Sequence, residues 1–463
     1  MAFDLAIVGL GVIGGNLALN MQERGIRPVC FDQDPGKLQR LAREGPRTAA
    51  SLEEAIAGLS RPRIVLLCLP AGPTIDHLLR RLRPLLEAGD VIVDAANSHF
   101  EDTRRRAEEL GAVGIGFLGL GLSGGASGAR HGACFMAGGS SAAWRTVRPY
   151  FLAVAARANG RPCAAWLGSD GAGHFAKMVH NGIEYALMEL IAEAHAFLER
   201  LLGCSAEEAA ALFGRWNEGE LGSYLLEITG NILRRADPIT GRPILEVVED
   251  SAGHKGTGKW ASIAALELGV AAPTLIEGFG ARLASADGRG RRSRATGWPE
   301  AKVERPDPGS VPPILEQALL AAHIASFTQG FELMAAGSRR FGWKTDLARL
   351  ARVWRGGCII RARLLDRFVP ALARRNEEGG VLATPWLADR LRRSVVDLRR
   401  TVGFAARAGL PVPCLASALA WLEMMHTPRL HTALVQAQRD YFGAHGVRRT
   451  DRRGCYHLDG TRV

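Results

Sequence analysis

Along the first third of the chain, apolar and polar positions alternate between two regimes. Short β-rich apolar runs at Leu5–Leu10, Pro28–Phe31, Ile64–Leu69, Val91–Ala95, Gly116–Leu120 and Ala164–Leu167 are separated by stretches with helical spacing at Gly15–Glu23, Thr74–Leu86 and Thr103–Leu110. Such alternation predicts an α/β domain with a mostly parallel sheet over residues 1–172. After Gly171 the β-rich runs nearly vanish. Helical patterns take over at Phe175–Leu202, Ser205–Trp216, Ile314–Ala336, Leu347–Leu365 and Leu387–Ala408, which predicts a large all-α domain over residues 173–431. Ser285–Ser310 is rich in Gly, Pro, Arg and Asp and reads as an exposed loop. Residues 432–463 form a short, polar, basic tail, either disordered or docked on a partner.

One helical stretch departs from the usual division of faces. Lys177, His180, Asn181 and Glu184 stand at i, i+3, i+4 and i+7, so they share one stripe, yet Met178, Val179, Ile183, Ala186 and Leu187 around them are apolar. An amphipathic helix with a solvated polar face is the commoner origin of such spacing. Here the helix reads as buried nearly all round, and polar groups are costly to bury unless they are used. The stripe is therefore a candidate active site.

The 463 residues are too many for one ordinary domain. No apolar run approaches the roughly 20 residues of a membrane-spanning helix, and the N-terminus lacks the basic region and cleavage site of a signal peptide. A cytoplasmic protein without membrane contact is expected. The eight cysteines show no metal-ligand spacing and read as small core hydrophobes; no metal site is expected. The net charge of +11 suits anionic partners. Because its arginines and lysines are dispersed without interleaved aromatics, the excess points to small phosphorylated ligands or to solvation, and not to nucleic acid.

Gly9-Leu-Gly11-Val12-Ile13-Gly14 follows the first predicted strand and opens a predicted helix, and the second strand ends at Asp32, with Gln33 next to it as a further cofactor-binding candidate. This is the Rossmann-type dinucleotide fingerprint in its required context: Gly9 for the tight turn, Gly11 for approach of the pyrophosphate, Gly14 for close helix–strand packing. Asp32 can accept hydrogen bonds from the adenosine ribose and would repel a 2′-phosphate, which favours NAD. Lys37 and Arg40 are near enough in sequence to neutralise a 2′-phosphate and keep NADP as the alternative. A second glycine-rich segment, Gly253-His-Lys-Gly-Thr-Gly258-Lys259-Trp260, nearly matches a P-loop after a possible strand at Pro243–Glu249. Trp260 stands where that pattern needs Ser or Thr for magnesium, so a loop gripping an anionic substrate group through Lys255 and Thr257 is the preferred reading.

Gly171-x-Gly173-x-x-x-Lys177-x-x-x-Asn181 resembles the catalytic signature of the β-hydroxyacid dehydrogenases. The strings Lys177–Tyr185, Asp250–Trp260, Trp354–Arg361 and Gln436–His445 resemble the long-chain 6-phosphogluconate dehydrogenases, and the likeness spans essentially the whole chain. The resemblance implies oxidative decarboxylation of 6-phosphogluconate to ribulose 5-phosphate and carbon dioxide, with Lys177 as general base and Glu184 as general acid. It assigns Asn97, Ser123, Gly124, Gly125, His180 and Asn181 to the sugar-acid end and the nicotinamide. Tyr185, Lys255, Thr257 and Arg282 go to the phosphate. Arg439 and His445 join them from a tail that reaches into the neighbouring subunit of a homodimer. The chain also departs from the family. Asp32-Gln33-Asp34 replaces the Asn-Arg-Thr of NADP-using members, Ala95 and Ala96 replace two glycines, Ala126 replaces a glutamate and His254 a glutamine. A related dehydrogenase of another sugar acid and a non-catalytic dinucleotide-binding protein are the alternatives.

Overall fold

The computed structural model describes residues 2–254, 256–299, 301, 309–374 and 380–463. In the N-terminal part, β1 (Leu5–Val8), α1 (Val12–Glu23), β2 (Pro28–Phe31), α2 (Pro35–Arg43), β3 (Arg47–Thr48), α3 (Leu52–Ala57), β4 (Ile64–Leu67), α4 (Pro73–Leu82), β5 (Val91–Asp94), α5 (Phe100–Gly111) and β6 (Gly116–Ser123) alternate. Then come α6 (Gly125–His131), β7 (Cys134–Gly139), α7 (Ser141–Val154), the two-residue strands β8 (Arg157–Ala158) and β9 (Arg161–Pro162), and β10 (Ala164–Gly168). The main sheet has the order β10-β7-β6-β5-β4-β1-β2-β3.

Strands β1, β2, β4 and β5 are buried at every position, as a parallel sheet covered on both faces requires. Their alternate residues feed two cores, with Leu5 and Ile7 on one side and Ala6 and Val8 on the other. The order reverses between β1 and its neighbours β2 and β4, which creates the crevice where open α/β sheets hold ligands. The pairing of β7 with β6 is antiparallel.

The helical part contains α8 (Ala172–Leu202), α9 (Ala206–Glu218), α10 (Tyr224–Leu233), α11 (Thr257–Glu267), α12 (Pro273–Ala286), α13 (Gly288–Ala295), α14 (Val311–Phe341), α15 (Leu347–Val353), α16 (Leu364–Ala373), α17 (Pro385–Arg407) and α18 (Pro413–His426). Three sequence expectations are corrected here. The expected loop at 285–310 contains α13, because Asp287 caps it by accepting from the Gly290 N–H at 3.1 Å and Arg291 is held by Asp250 at 2.9 Å. The expected single helix Leu347–Leu365 is two, interrupted around Gly357, whose φ of +66° no helix accommodates. The possible strand at Pro243–Glu249 is a short 3₁₀ turn, so the glycine-rich segment after it lacks the strand of a P-loop.

Contacts divide the chain into two compact units, Met1–Ala418 and Leu419–Val463. The second contains α19 (Thr432–Gly443) and the antiparallel pair β11 (Val447–Arg448) and β12 (Cys455–Tyr456). Asp440 organises it, accepting from the Gly446 N–H at 2.6 Å, the Leu458 N–H at 2.8 Å and His457 Nδ1 at 2.8 Å. No helix among the described residues is long and apolar enough to cross a membrane.

Candidate active site

Helix α8 is buried over most of its 31 residues, packed by α11, α12, α14 and strands β6 and β7. Glycines set how closely it approaches the sheet. A Cβ on Gly121 would stand 2.6 Å from the Lys177 Cβ, one on Gly173 2.3 Å from the Gly119 carbonyl oxygen, and one on Gly138 2.1 Å from the Gly173 nitrogen. No residue with a side chain fits those three positions without moving the helix away from the sheet. The strip of glycines therefore presses Lys177 into the base of the site.

Lys177 is 8% exposed, and burial lowers its amine from the usual lysine range, opposed by the nearby Glu184 carboxylate. Glu184 moves the other way. Burial raises its carboxyl, and Lys177 and Arg282 only partly offset this. Both groups are thus driven toward neutral forms, an amine able to take a proton and a carboxyl able to give one. Seven residues separate them on one face, about 10 Å along the axis.

Between them runs a hydrogen-bonded chain. Asn181 Nδ2 donates to Thr257 Oγ1 at 2.7 Å, its Oδ1 lies 3.0 Å from His180 Nδ1, and His180 Nε2 lies 3.2 Å from Ser123 Oγ. Glu184 Oε2 is also 3.6 Å from His180 Nδ1. Burial, reinforced by Lys177, pushes His180 well below the normal imidazole range, so the ring is neutral. With acceptors facing Nδ1, that nitrogen carries the proton and Nε2 accepts from the Ser123 hydroxyl.

Tyr185 and Arg282 form the next layer. The Arg282 guanidinium of α12 lies 3.5 Å over the Tyr185 ring and donates to the Gly253 carbonyl at 2.8 Å. Gly258 leaves room for that ring, since a Cβ there would stand 2.5 Å from it. The structure thus brings together Ser123, Lys177, His180, Asn181, Glu184, Tyr185, Thr257 and Arg282 as one connected set. Gly124 and Gly125 continue from Ser123 into α6, and Asn97 is exposed on the loop after β5. Lys255 lies outside the described residues. Arg439 and His445 belong to the tail unit, where both are exposed.

At the dinucleotide fingerprint, the fold itself demands two of the three glycines. Gly9 has φ +97° and a Cβ there would stand 2.5 Å from the Cys68 carbonyl oxygen; one on Gly14 would stand 1.9 Å from the Gly9 carbonyl oxygen. A Cβ on Gly11 would meet nothing within 4 Å. Packing gives no reason for glycine at that position, whereas a pyrophosphate at the helix N-terminus does, so these residues fit a dinucleotide. Val12, two-thirds exposed, and Ile13 open α1 beside it. Asp32 accepts from the Leu10 N–H at 2.7 Å and the Asp34 N–H at 2.9 Å, while Lys37 Nζ is 3.4 Å from both its oxygens. Burial acts to raise this carboxyl, but those bonds and Lys37 outweigh it and hold it ionised. Gln33 beside it is exposed.

Sequence reasoning missed the support under the Asn97 loop. Arg106, fully buried, reaches Asp76 at 2.9 Å and Asp94 at 3.4 Å, and Asp94 accepts from Ser98 Oγ at 2.7 Å and the Ala96 N–H at 3.0 Å. Arg106 is 12 residues from Asp94 and 30 from Asp76. No local pattern could have signalled the network.

Residues 4–168 match the family model of the NAD binding domain of 6-phosphogluconate dehydrogenase, and residues 173–460 match that of the 6-phosphogluconate dehydrogenase C-terminal domain. The chain is 43% identical over 465 residues to the decarboxylating 6-phosphogluconate dehydrogenase of Treponema pallidum, covering 97% of this chain and 95% of the relative. It is 40% identical over 462 residues to both the NADP(+)-dependent and the NAD(+)-dependent decarboxylating enzymes of Bacillus subtilis, covering 98% of this chain in each case and 98% and 99% of those relatives. Among solved structures, Plasmodium falciparum 6-phosphogluconate dehydrogenase, described with its cofactor NADP+ and with its substrate 6-phosphogluconate, superposes with a TM-score of 0.94 at 35% identity, covering 98% of this chain and 99% of that one.

Proposed function

The chain belongs to the 6-phosphogluconate dehydrogenase family, and from that premise we propose that it converts 6-phosphogluconate to ribulose 5-phosphate and carbon dioxide with reduction of a nicotinamide dinucleotide. The observation that carries this reading is the opposed pair on α8, a lysine lowered and a glutamate raised by the same burial. A nicotinamide dinucleotide held at Gly9, Gly11 and Gly14 would supply the acceptor for the hydride that leaves C3. Lys177, as the neutral amine, takes the C3 hydroxyl proton. Its ammonium then faces the C3 carbonyl oxygen and stabilises the enolate charge that develops as the C1–C2 bond breaks and its electron pair stays with C2. Glu184, as the carboxylic acid, protonates that carbon, which is C1 of the product. Neutral His180 keeps Ser123 and Asn181 oriented toward the sugar acid, with Asn97, Gly124 and Gly125 at the nicotinamide side.

Tyr185, Thr257 and Arg282, with Lys255, hold the substrate phosphate; Arg439 and His445 complete it from the tail of a second copy, so the working unit is a homodimer. Residues 1–172 bind the dinucleotide, 173–431 supply substrate contacts and dimerisation, and 432–463 serve the neighbouring site, all in the cytoplasm. Gly9, Gly11, Val12, Ile13 and Gly14 cradle the pyrophosphate. Asp32 gives preference for NAD over NADP, because its ionised carboxylate, already paired with Lys37, offers a 2′-phosphate repulsion in place of a free cation.

Steady-state oxidation of 6-phosphogluconate with NAD and NADP titrated separately tests both parts. The expected result is turnover with a higher kcat/KM for NAD. Preference for NADP would overturn the role of Asp32 while leaving the reaction, and no turnover with either would overturn the reaction itself.

A further inference from the structure

A cavity of about 560 Å³ opens at the β10 edge of the sheet, lined by residues of α7, β8, β9, β10 and α15 and by none of the residues assigned to the reaction. Six arginines line it: Arg145 and Arg148 of α7, Arg161 of β9, Arg349 and Arg352 of α15, and Arg355 just beyond. Two carboxylates attend them. Asp346 lies 3.7 Å from Arg349 and 3.4 Å from Arg352, and Asp366 lies 2.6 Å from Arg355. The guanidinium groups of Arg145, Arg148 and Arg161 have no ion pair or hydrogen bond among the described residues.

Arg145 and Arg148, both exposed, stand at i, i+3 on one helix face, a like-charge pair whose mild repulsion an anion between or beside them would relieve. The half-buried Trp166 ring gives the cavity a fixed wall, because its indole N–H donates to the Gly139 carbonyl at 2.9 Å. Guanidinium groups converging from three separate elements, with a surplus over carboxylates, match several phosphate groups better than one. The volume is that of a small-molecule site. It is a concave pocket and lacks the extended aromatic-lined groove of a nucleic-acid track.

We propose that this cavity is a second anion site, which takes a small molecule carrying two or more phosphate groups and is separate from the substrate phosphate site at Arg282. The test is calorimetric titration of the full chain with sodium tripolyphosphate. In the variant R148E/R161E, affinity should fall by about tenfold or more, the scale of lost charge-assisted contacts, while R282A should leave it within about twofold. Tripolyphosphate binding that is unchanged in R148E/R161E, or abolished in R282A, would place the anion elsewhere and overturn the proposal. Should R148E/R161E fail to fold, the charge-neutral R148Q/R161Q pair gives the same reading with a smaller loss. A single-stranded 20-nucleotide probe that displaces tripolyphosphate and binds more tightly through the same arginines would also overturn it, in favour of a nucleic-acid surface.

Discussion

Helices α8 and α14 are both 31 residues long, pack against each other, and each buries polar side chains. In α14 three of those groups are consumed by the helix's own backbone and the fourth by one partner on α12. His323 Nδ1 meets the Leu319 carbonyl at 2.8 Å, Ser326 donates to the Ala322 carbonyl at 2.9 Å, and Thr328 donates to the Ile324 carbonyl at 2.8 Å, each one turn back on the same helix. Gln329 closes a reciprocal pair with Thr274, accepting from its N–H and donating to its hydroxyl at 3.0 Å each. In α8 the polar groups of the stripe face one another as well as neighbouring elements, and among them Lys177 and Glu184 are displaced in opposite directions. Buried polarity alone does not mark a site. What marks it is a connected cluster of ionisable groups, where α14 spends its polar groups on its own backbone and on one closed pair with Thr274.

Four substitutions sharpen that contrast. Lys177→Met should lower kcat by about 10³-fold or more, the range of a lost general base, with a melting temperature equal to or above that of the parent, because a costly buried amine is removed. A melting temperature that collapses with kcat would make Lys177 structural like its α14 counterparts. Glu184→Gln should lower kcat by about 10²–10³-fold and remove the alkaline limb of the rate profile, since activity falls as pH rises through the pKa of a required acid; a limb that persists in the variant assigns the proton to another group.

In α14 the expected effects are on stability only. His323 is lowered by burial to about 4, although its bond to the Leu319 carbonyl opposes this. Between that value and the unperturbed 6.5 or so, the unfolded chain binds a proton that the folded chain does not, so stability is complete above about 6.5 and declines as pH falls toward 4. The full loss is on the order of 3 kcal/mol. His323→Leu should flatten this part of the denaturation-versus-pH curve, and a curve identical to the parent's would rule out the histidine as its source. Gln329→Leu leaves the buried Thr274 N–H unpaired and should cost about 1–3 kcal/mol, read by denaturant unfolding, with kcat unchanged; a comparable loss of kcat would show that α14 takes part in the chemistry.

The stripe on α8 was legible because its spacing is local: residues three, four and seven apart share a face wherever a helix forms. The dinucleotide turn was legible for the same reason, with Gly9, Gly11 and Gly14 close together between a strand and a helix. The antiparallel β7 depends on pairing with β6, and the break at Gly357 on the close approach of Ala156, whose Cβ would stand 2.5 Å from a Cβ added there. The composition of Gly288–Ala295 does not announce helix α13, which depends on the Asp287 cap and on Asp250 holding Arg291 from 41 residues away.

By itself the sequence determined which residues lie on one helical face, where the phosphate-binding turn falls, and that an α/β part precedes a helical one, since each rests on neighbours within a few turns of chain. Only the tertiary structure decided that Lys177 and Glu184 are displaced toward neutrality and that His180 carries its proton on Nδ1. Those properties arise from desolvation and partners brought by β6, β7, α11 and α12, and a dielectric environment is set by whatever surrounds a group in space, whatever its distance along the chain.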